Sequence, residues 1–245
     1  MILLRPQDVF HKVQLTRLLT EILDNSILSQ NLYFKGGTCA AILGYLDRFS
    51  VDLDFDLKQG ADKTKLRPIF QKIFSHLDLV AKDESSKALE FFLKYEARPN
   101  QRNTIKLDVL DLHVKANVYK EMFLPEVARY AKCQTIETMF ANKLVALIDR
   151  YKKHGNIAGR DVYDIHHFFT NGYSFESNVI LERTGLSPVN YFKKLSKFIE
   201  NKVTQTIINQ DLNTLFAYDK FKKIRKTLKN ETLMFLQNEI TKLKR

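Results

Sequence analysis

Three aspartates, Asp52, Asp54 and Asp56, alternate with Val51, Leu53, Phe55 and Leu57 in the run VDLDFDL. Successive side chains of an extended strand point to opposite faces, so the three carboxylates share one face and Leu53, Phe55 and Leu57 the other. An amphipathic strand with a wet side is the plainest account of that pattern. Aspartate is nevertheless disfavoured in strands, and like charges on one face repel. Lys58 faces the same way but stands at the end of the run. A divalent cation resolves the repulsion, because Mg²⁺ is commonly held by one or two carboxylates together with substrate phosphates. Two such ions roughly 3.5–4 Å apart can activate an attacking oxygen and stabilise a leaving pyrophosphate. That chemistry wants a further acid from another strand. The run IKLDVLDL supplies Asp108, with Asp111 on the opposite face as the weaker candidate.

A second feature lies upstream. Gly36, Gly37 and Thr38 stand between a strand-like NLYFK and a helix-like CAAILGYL. Glycines let a backbone approach an anion closely, and a helix N-terminus offers N–H groups and a favourable dipole. The Thr38 hydroxyl adds a donor. A lone GGT is an ordinary turn. What gives it weight is the order strand, GGT, helix, Asp-x-Asp strand, then a strand with a single Asp.

The elements that must position these residues can be read around them. Residues 8–30 read as one helix capped by Asp8, 31–35 and 51–57 as strands, and 39–46 as helix. Asp62 is placed to cap a helix from about 63 to 80. Residues 88–97 and 103–112 read as strands joined through the turn RPNQRN. After about residue 135 the pattern becomes helical, beginning with TIETMFANKLVALIDRYKK. The expectation is an α+β fold: a mixed sheet with helices over residues 1–125, followed by an all-helical domain over 126–245, with the change of character near 116–134.

The chain has 245 residues, 44% hydrophobic, enough for a sizeable core. Its apolar stretches, such as LVALI, are far too short to cross a bilayer, and MILLRPQD breaks too early for a secretory leader. Cys39 and Cys133 have no paired spacing, which argues against a disulfide framework or a zinc site. A cytoplasmic location and no membrane association are expected. Of the net charge of +11, residues 190–245 carry +8, from 13 lysines and arginines against 5 acids. A solvated lysine-rich helical face explains this blandly, and a polyanionic partner such as nucleic acid explains it functionally.

Taken together, KGGT, DRFSVDLDF, ANKLVALIDR and GRDVYDIHHF resemble, in that order, the nucleotidyltransferase superfamily and more narrowly the AbiEii-type toxins of toxin–antitoxin and abortive-infection systems. The motifs cover roughly residues 34–168. The resemblance implies a nucleotidyltransferase sheet joined to a helical domain, with the active site between them. It implies Asp52, Asp54 and Asp108 as metal ligands and catalytic acids, and Gly36, Gly37 and Thr38 as the triphosphate cradle. Arg48 and Ser50 would lie near the phosphates; their plainer roles are in the turn before the strand. Lys143 matches the family's phosphate-binding lysine, and an anionic partner or an exit to water is required for it in any case. Asp161 matches a second acid, although Asp161 and Asp164 share a helix face and either can instead pair with Arg150 or Arg160. His166 and His167 read as packing or surface residues.

The function so implied is Mg²⁺-dependent transfer of a nucleoside monophosphate from an NTP to an acceptor hydroxyl, with an RNA (tRNA) 3′ end as the acceptor and a cognate antitoxin as partner. Two alternatives remain open: transfer to a small molecule or protein hydroxyl, and a non-catalytic RNA-binding module on the same fold. The latter would be expected to have lost the metal acids, which this sequence retains.

Overall fold

A computed structural model describes residues 6–99, 101–213 and 215–244. They form two compact units. The first comprises the described residues up to His113 together with Tyr119–Gln134, and the second Val114–Val118 together with the described residues from Thr135 onward.

The first unit is built on a seven-stranded mixed sheet among the described residues, in the order β3-β4-β5-β2-β1-β7-β6. The strands are β1 (Leu32–Lys35), β2 (Leu53–Leu57), β3 (Val80–Glu84), β4 (Leu89–Lys94), β5 (Thr104–Leu110), β6 (Tyr119–Leu124) and β7 (Arg129–Gln134). Strand β2 runs antiparallel to β1 and parallel to β5, and so occupies the middle of the sheet. Its alternation works as expected: Leu53 and Phe55 are fully buried and Leu57 nearly so, while Asp52 and Asp54 stay partly open to solvent.

Four helices complete this unit among the described residues. The expected single helix over 8–30 is two, α1 (Pro6–Asp24) and α2 (Ser26–Asn31), because the Asn25 side chain accepts from the amides of Ile27 and Leu28 and starts a new N-terminus. Asp8 lies inside the first turn of α1 rather than at its cap. Leu15, Leu18, Leu19 and Ile22 of α1 are fully buried. Helix α3 (Gly36–Ile42) begins at the glycines themselves rather than at residue 39. Asp62 caps α4 (Lys63–His76) through the amide of Thr64, as its position suggests. The helix ends four residues short of residue 80, and Val80 already belongs to β3, an exposed edge strand.

The second unit is helical: α5 (Ile136–His154), α6 (Gly159–Thr170), α7 (Ser177–Thr184), α8 (Pro188–Lys202), α9 (Gln205–Leu212) and α10 (Tyr218–Lys242). Thr135 caps α5. Phe140, Leu144 and Leu147 of α5 belong to a core with Phe168 of α6, Phe192 and Leu195 of α8, and Leu228 and Leu236 of α10, all fully buried. At the start of α6 the chain passes so close to α9 that a Cβ on Gly159 would sit 2.9 Å from the Ile207 carbonyl oxygen. The Gly159 amide donates to the Asp211 carboxylate at 2.6 Å, which pins the N-terminus of the helix carrying Asp161.

Candidate active site

The decisive geometry is the lateral register of the sheet. Asp54 of β2 is the direct partner of Asp108 on β5, and Asp108 is in turn the partner of Glu90 on β4. Laterally paired residues project to the same face at Cβ separations of roughly 4.5–5.5 Å. Three carboxylates therefore form a row across three strands. Asp52, one step before β2, extends the acidic edge.

Asp56, two residues beyond Asp54, has a different fate. It is 3% exposed, and its oxygens accept from the Lys35 ammonium, the Tyr119 hydroxyl at 2.8 Å and the Gln134 amide at 2.7 Å. A carboxylate so completely bonded to a lysine and two neutral donors is a structural tie between β1, β2, β6 and β7. The period-2 pattern alone cannot separate it from Asp54. Register does, because Asp56 falls beside Leu110 rather than beside an acid.

The glycine turn closes on the acids. Gly36 has φ +78°, a left-handed conformation that glycine adopts without strain, and a Cβ placed there would collide with the Asp54 carboxylate and lie 2.8 Å from its Cβ. On Gly37 a Cβ would meet the Ser50 Oγ at 2.8 Å and the Arg48 guanidinium at 3.1 Å. Arg48 is 3% exposed and also donates to the Phe49 carbonyl at 3.0 Å. The Thr38 hydroxyl donates to the Asp52 carbonyl at 2.5 Å, tying the turn to the strand. Thus Gly36, Gly37, Thr38, Arg48, Ser50, Asp52, Asp54 and Asp108 are brought together in the first unit. Lys35, at the N-cap position of α3, has no acceptor with which to cap the helix, and its ammonium donates to Asp56.

Two partners of this site escape a reading of the sequence. Lys106 Nζ lies 3.0 Å from Asp108 Oδ2 and 2.6 Å from Glu90 Oε1. Partial burial works against its charge, but the bonds to Glu90 and Asp108 outweigh that and hold its pKa above the ordinary lysine value. Lys106 was recoverable, since it stands two residues before Asp108 and so shares its strand face. Glu90 was not, because nothing local to ALEFFL says which residue of the next strand it will meet. Another residue without a sequence signal, His11, supports the segment entering β2. Its Nε2–H donates to the Val51 carbonyl at 2.9 Å, since that oxygen can only accept, and Nδ1 lies 2.6 Å from the Tyr95 hydroxyl, which itself donates to the Arg102 carbonyl at 2.8 Å. Burial lowers its pKa to about 4, opposed by the Val51 bond and assisted by Arg102.

The donor set fits a hard divalent cation: Asp54 and Asp108 are adjacent, partly exposed oxygen donors beside a glycine-lined turn. Among the described residues no group of three or more His, Cys, Asp or Glu side chains is already gathered as a metal shell.

The second unit carries a separate ionic cluster. Lys143 Nζ lies 3.1 Å from Asp161 Oδ1 and 2.9 Å from Asp164 Oδ2, and Arg150 Nε lies 3.0 Å from Asp161 Oδ2. Both aspartates are buried, at 1% and 0% exposure. Burial pushes the Asp161 pKa up, and the charges of Lys143 and Arg150 more than reverse it, so that the carboxyl stays below its usual range. Lys143 thus has both of the outlets expected of it, anionic partners and a side chain 20% open to solvent. His166 is buried and bonds Glu231 at 2.7 Å.

This combination, an acid row beside a glycine turn on a mixed sheet with a helical unit following, is that of a nucleotidyltransferase. The family model described as nucleotidyl transferase AbiEii toxin, type IV TA system, matches residues 17–230, and the chain belongs to that family. It is a nucleotidyltransferase of the toxin class, and the family's description implies an antitoxin partner and a nucleotide substrate. Three solved structures share the fold. A Helicobacter pylori protein assigned as a nucleotidyltransferase is 20% identical over 98% of both chains, with TM-score 0.61. JHP933 from Helicobacter pylori is 17% identical over 99% of this chain and 98% of that one, with TM-score 0.55. MenT4, a nucleotidyltransferase toxin from Mycobacterium tuberculosis, is 14% identical over 94% of this chain and 84% of that one, with TM-score 0.52. No curated protein matches the sequence. Among the described residues no helix is long and apolar enough to cross a membrane.

Proposed function

We propose that the protein transfers a nucleoside monophosphate from an NTP to the 3′ hydroxyl of an RNA, with tRNA as the acceptor class, using Mg²⁺ held by Asp52, Asp54 and Asp108. The observation that carries this reading is the register pairing of Asp54 with Asp108, with Gly36 packed directly against Asp54. When bound, Mg²⁺ supplies charge neutralisation for the triphosphate and for the leaving pyrophosphate. The backbone of Gly36 and Gly37 cradles the phosphates, Thr38 braces that turn through its bond to the Asp52 carbonyl, and Arg48 and Ser50 stand over Gly37 to orient them. The acceptor oxygen forms a bond to the α-phosphorus, the bond to the pyrophosphate oxygen breaks, and the hydroxyl proton passes to Asp108. Lys143, steadied by Asp161 and Asp164, is assigned to the nucleotide phosphates, with Asp161 the acid that fixes its position.

The RNA part of the reading draws on charge. Lys222, Lys223 and Lys226 of α10, with Asp219, line a surface depression of about 550 Å³, within the segment that carries +8. Clustered ammonium groups suit a phosphodiester backbone. NTPs and tRNA are cytoplasmic, so the proposed compartment is the cytoplasm. The test incubates the protein with Mg²⁺, total bacterial RNA and each labelled NTP in turn. Label is expected in the tRNA band with the native protein and absent with Asp54→Asn. Label on proteins or small molecules alone would overturn the RNA acceptor, and label retained by Asp54→Asn would overturn the site.

A further inference from the structure

The row of acids contains an ammonium group whose position has a consequence for metal binding. Lys106 Nζ touches Asp108 Oδ2 at 3.0 Å and Glu90 Oε1 at 2.6 Å, while Asp108 sits beside Asp54 in register. Lys106, Asp108 and Glu90 side chains are each about one-third exposed, at 31%, 31% and 34%. A long lysine stem in such a place has room to swing. Its approach is also shaped by Phe92, the lateral partner of Lys106 on β4, whose ring centroid is 5.7 Å from the ammonium.

We propose that Lys106 is a built-in counter-cation that holds Asp108 in the metal-free protein, and that Glu90 is the carboxylate that takes this ammonium over when a divalent cation binds Asp54 and Asp108. The inference rests on the metal reading of that pair. Asp54, Asp108 and Glu90 lie in one row of strand-neighbour positions, and Lys106 relieves the repulsion between Asp108 and Glu90. A divalent ion arriving at Asp108 meets that ammonium as a competitor. Because Glu90 already bonds Lys106, the ammonium can shift toward it without losing its anionic partner, and Asp108 is released. Glu90 and Lys106 are positioning residues: both act through Asp108. The same pair would bias the site toward ligands that bring their own negative charge, such as a metal–triphosphate complex, over the free metal.

Mn²⁺ binding by the full chain, read from the loss of the free-ion spin-resonance signal, tests this alongside thermal unfolding with and without Mn²⁺. Lys106→Gln is expected to bind Mn²⁺ roughly two- to fivefold tighter, the range typical of removing one partner of a partly exposed ion pair. The same variant is expected to unfold at a lower temperature without metal and to gain more from added Mn²⁺ than the native protein. Lys106→Arg keeps the charge and is expected to bind as the native protein does. Glu90→Gln is expected to weaken Mn²⁺ binding in the native background and to have little effect when combined with Lys106→Gln. Unchanged or weaker Mn²⁺ binding in Lys106→Gln, or an equal loss from Glu90→Gln in both backgrounds, would overturn the proposal. Asp54→Asn separates the two levels: if it binds Mn²⁺ like the native chain, the metal reading fails, and this inference with it.

Discussion

The ionic cluster on the sheet and the one among the helices are built on opposite physical terms. On the sheet, Asp54, Asp108 and Glu90 are partly exposed and stand in a lateral row, and the last two share the Lys106 ammonium. In the helical unit, Asp161 and Asp164 are buried, and Lys143 and Arg150 match them charge for charge. Two partly exposed acids that share one ammonium keep a capacity to bind a further cation. Buried acids already matched have none to spare, and removing one partner leaves a charge with nowhere to go. The first arrangement suits a ligand-binding edge and the second a fixed mount for Lys143. Asp56 belongs in kind with the second, although it lies on β2 two residues from Asp54.

The sharpest way to break this contrast is to neutralise one acid or base in each cluster. Asp54→Asn is expected to reduce nucleotide transfer by about a thousandfold or more, as removing a group that acts with others in one catalytic unit commonly does. Its stability in urea should change by less than about 1 kcal/mol, as is usual for partly exposed charges. Lys143→Met should do the reverse to stability, costing about 3 kcal/mol, because Asp161 and Asp164 lose their shared cation in a buried site. Equal stability losses in the two variants would erase the contrast.

Solution pH gives a second, smaller handle on the sheet unit. His11 is neutral in the folded protein, with a pKa of about 4 against an ordinary 6.5. Below pH 6.5 the unfolded chain takes up a proton that the folded chain refuses, so stability is retained above that pH and lost as pH falls toward 4. The loss should approach about 3 kcal/mol at the low end. Urea unfolding of the native chain and of His11→Gln between pH 7 and 4 checks this, and the slope due to His11 should vanish in the variant. The smallest expected effect concerns the basic helix. Converting Lys222, Lys223 and Arg225 to glutamate should lower the salt dependence of RNA binding by up to about one power of salt concentration for each phosphate no longer neutralised, with transfer to short acceptors affected least.

Several features were legible without a structure because they depend on residues close in sequence. The strand character of 51–57, the placement of Asp62 as a helix cap, and the long amphipathic α5 all follow from local spacing and side-chain bonding to the nearest backbone. The departures have local causes too. Asn25 splits α1 from α2 through its own side-chain bonds. Strands β6 and β7 occupy the stretch where the sequence changes character, and they are weakly apolar: most of their side chains face solvent at least in part. Strand β3 is exposed along its whole length and presents no alternation to detect.

From the order of residues alone came the face shared by three aspartates, the glycines ahead of them, and a family resemblance in four ordered motifs. Tertiary structure decided which acids meet. Residues 54, 90 and 108 are neighbours because three strands pair in one register, and that register follows from packing the apolar faces of all of them at once. A chain written as a line holds the period of each strand but not its alignment with the next, so the separation of Asp56 from Asp54, and the capture of Lys106 between Asp108 and Glu90, arise when the sheet forms.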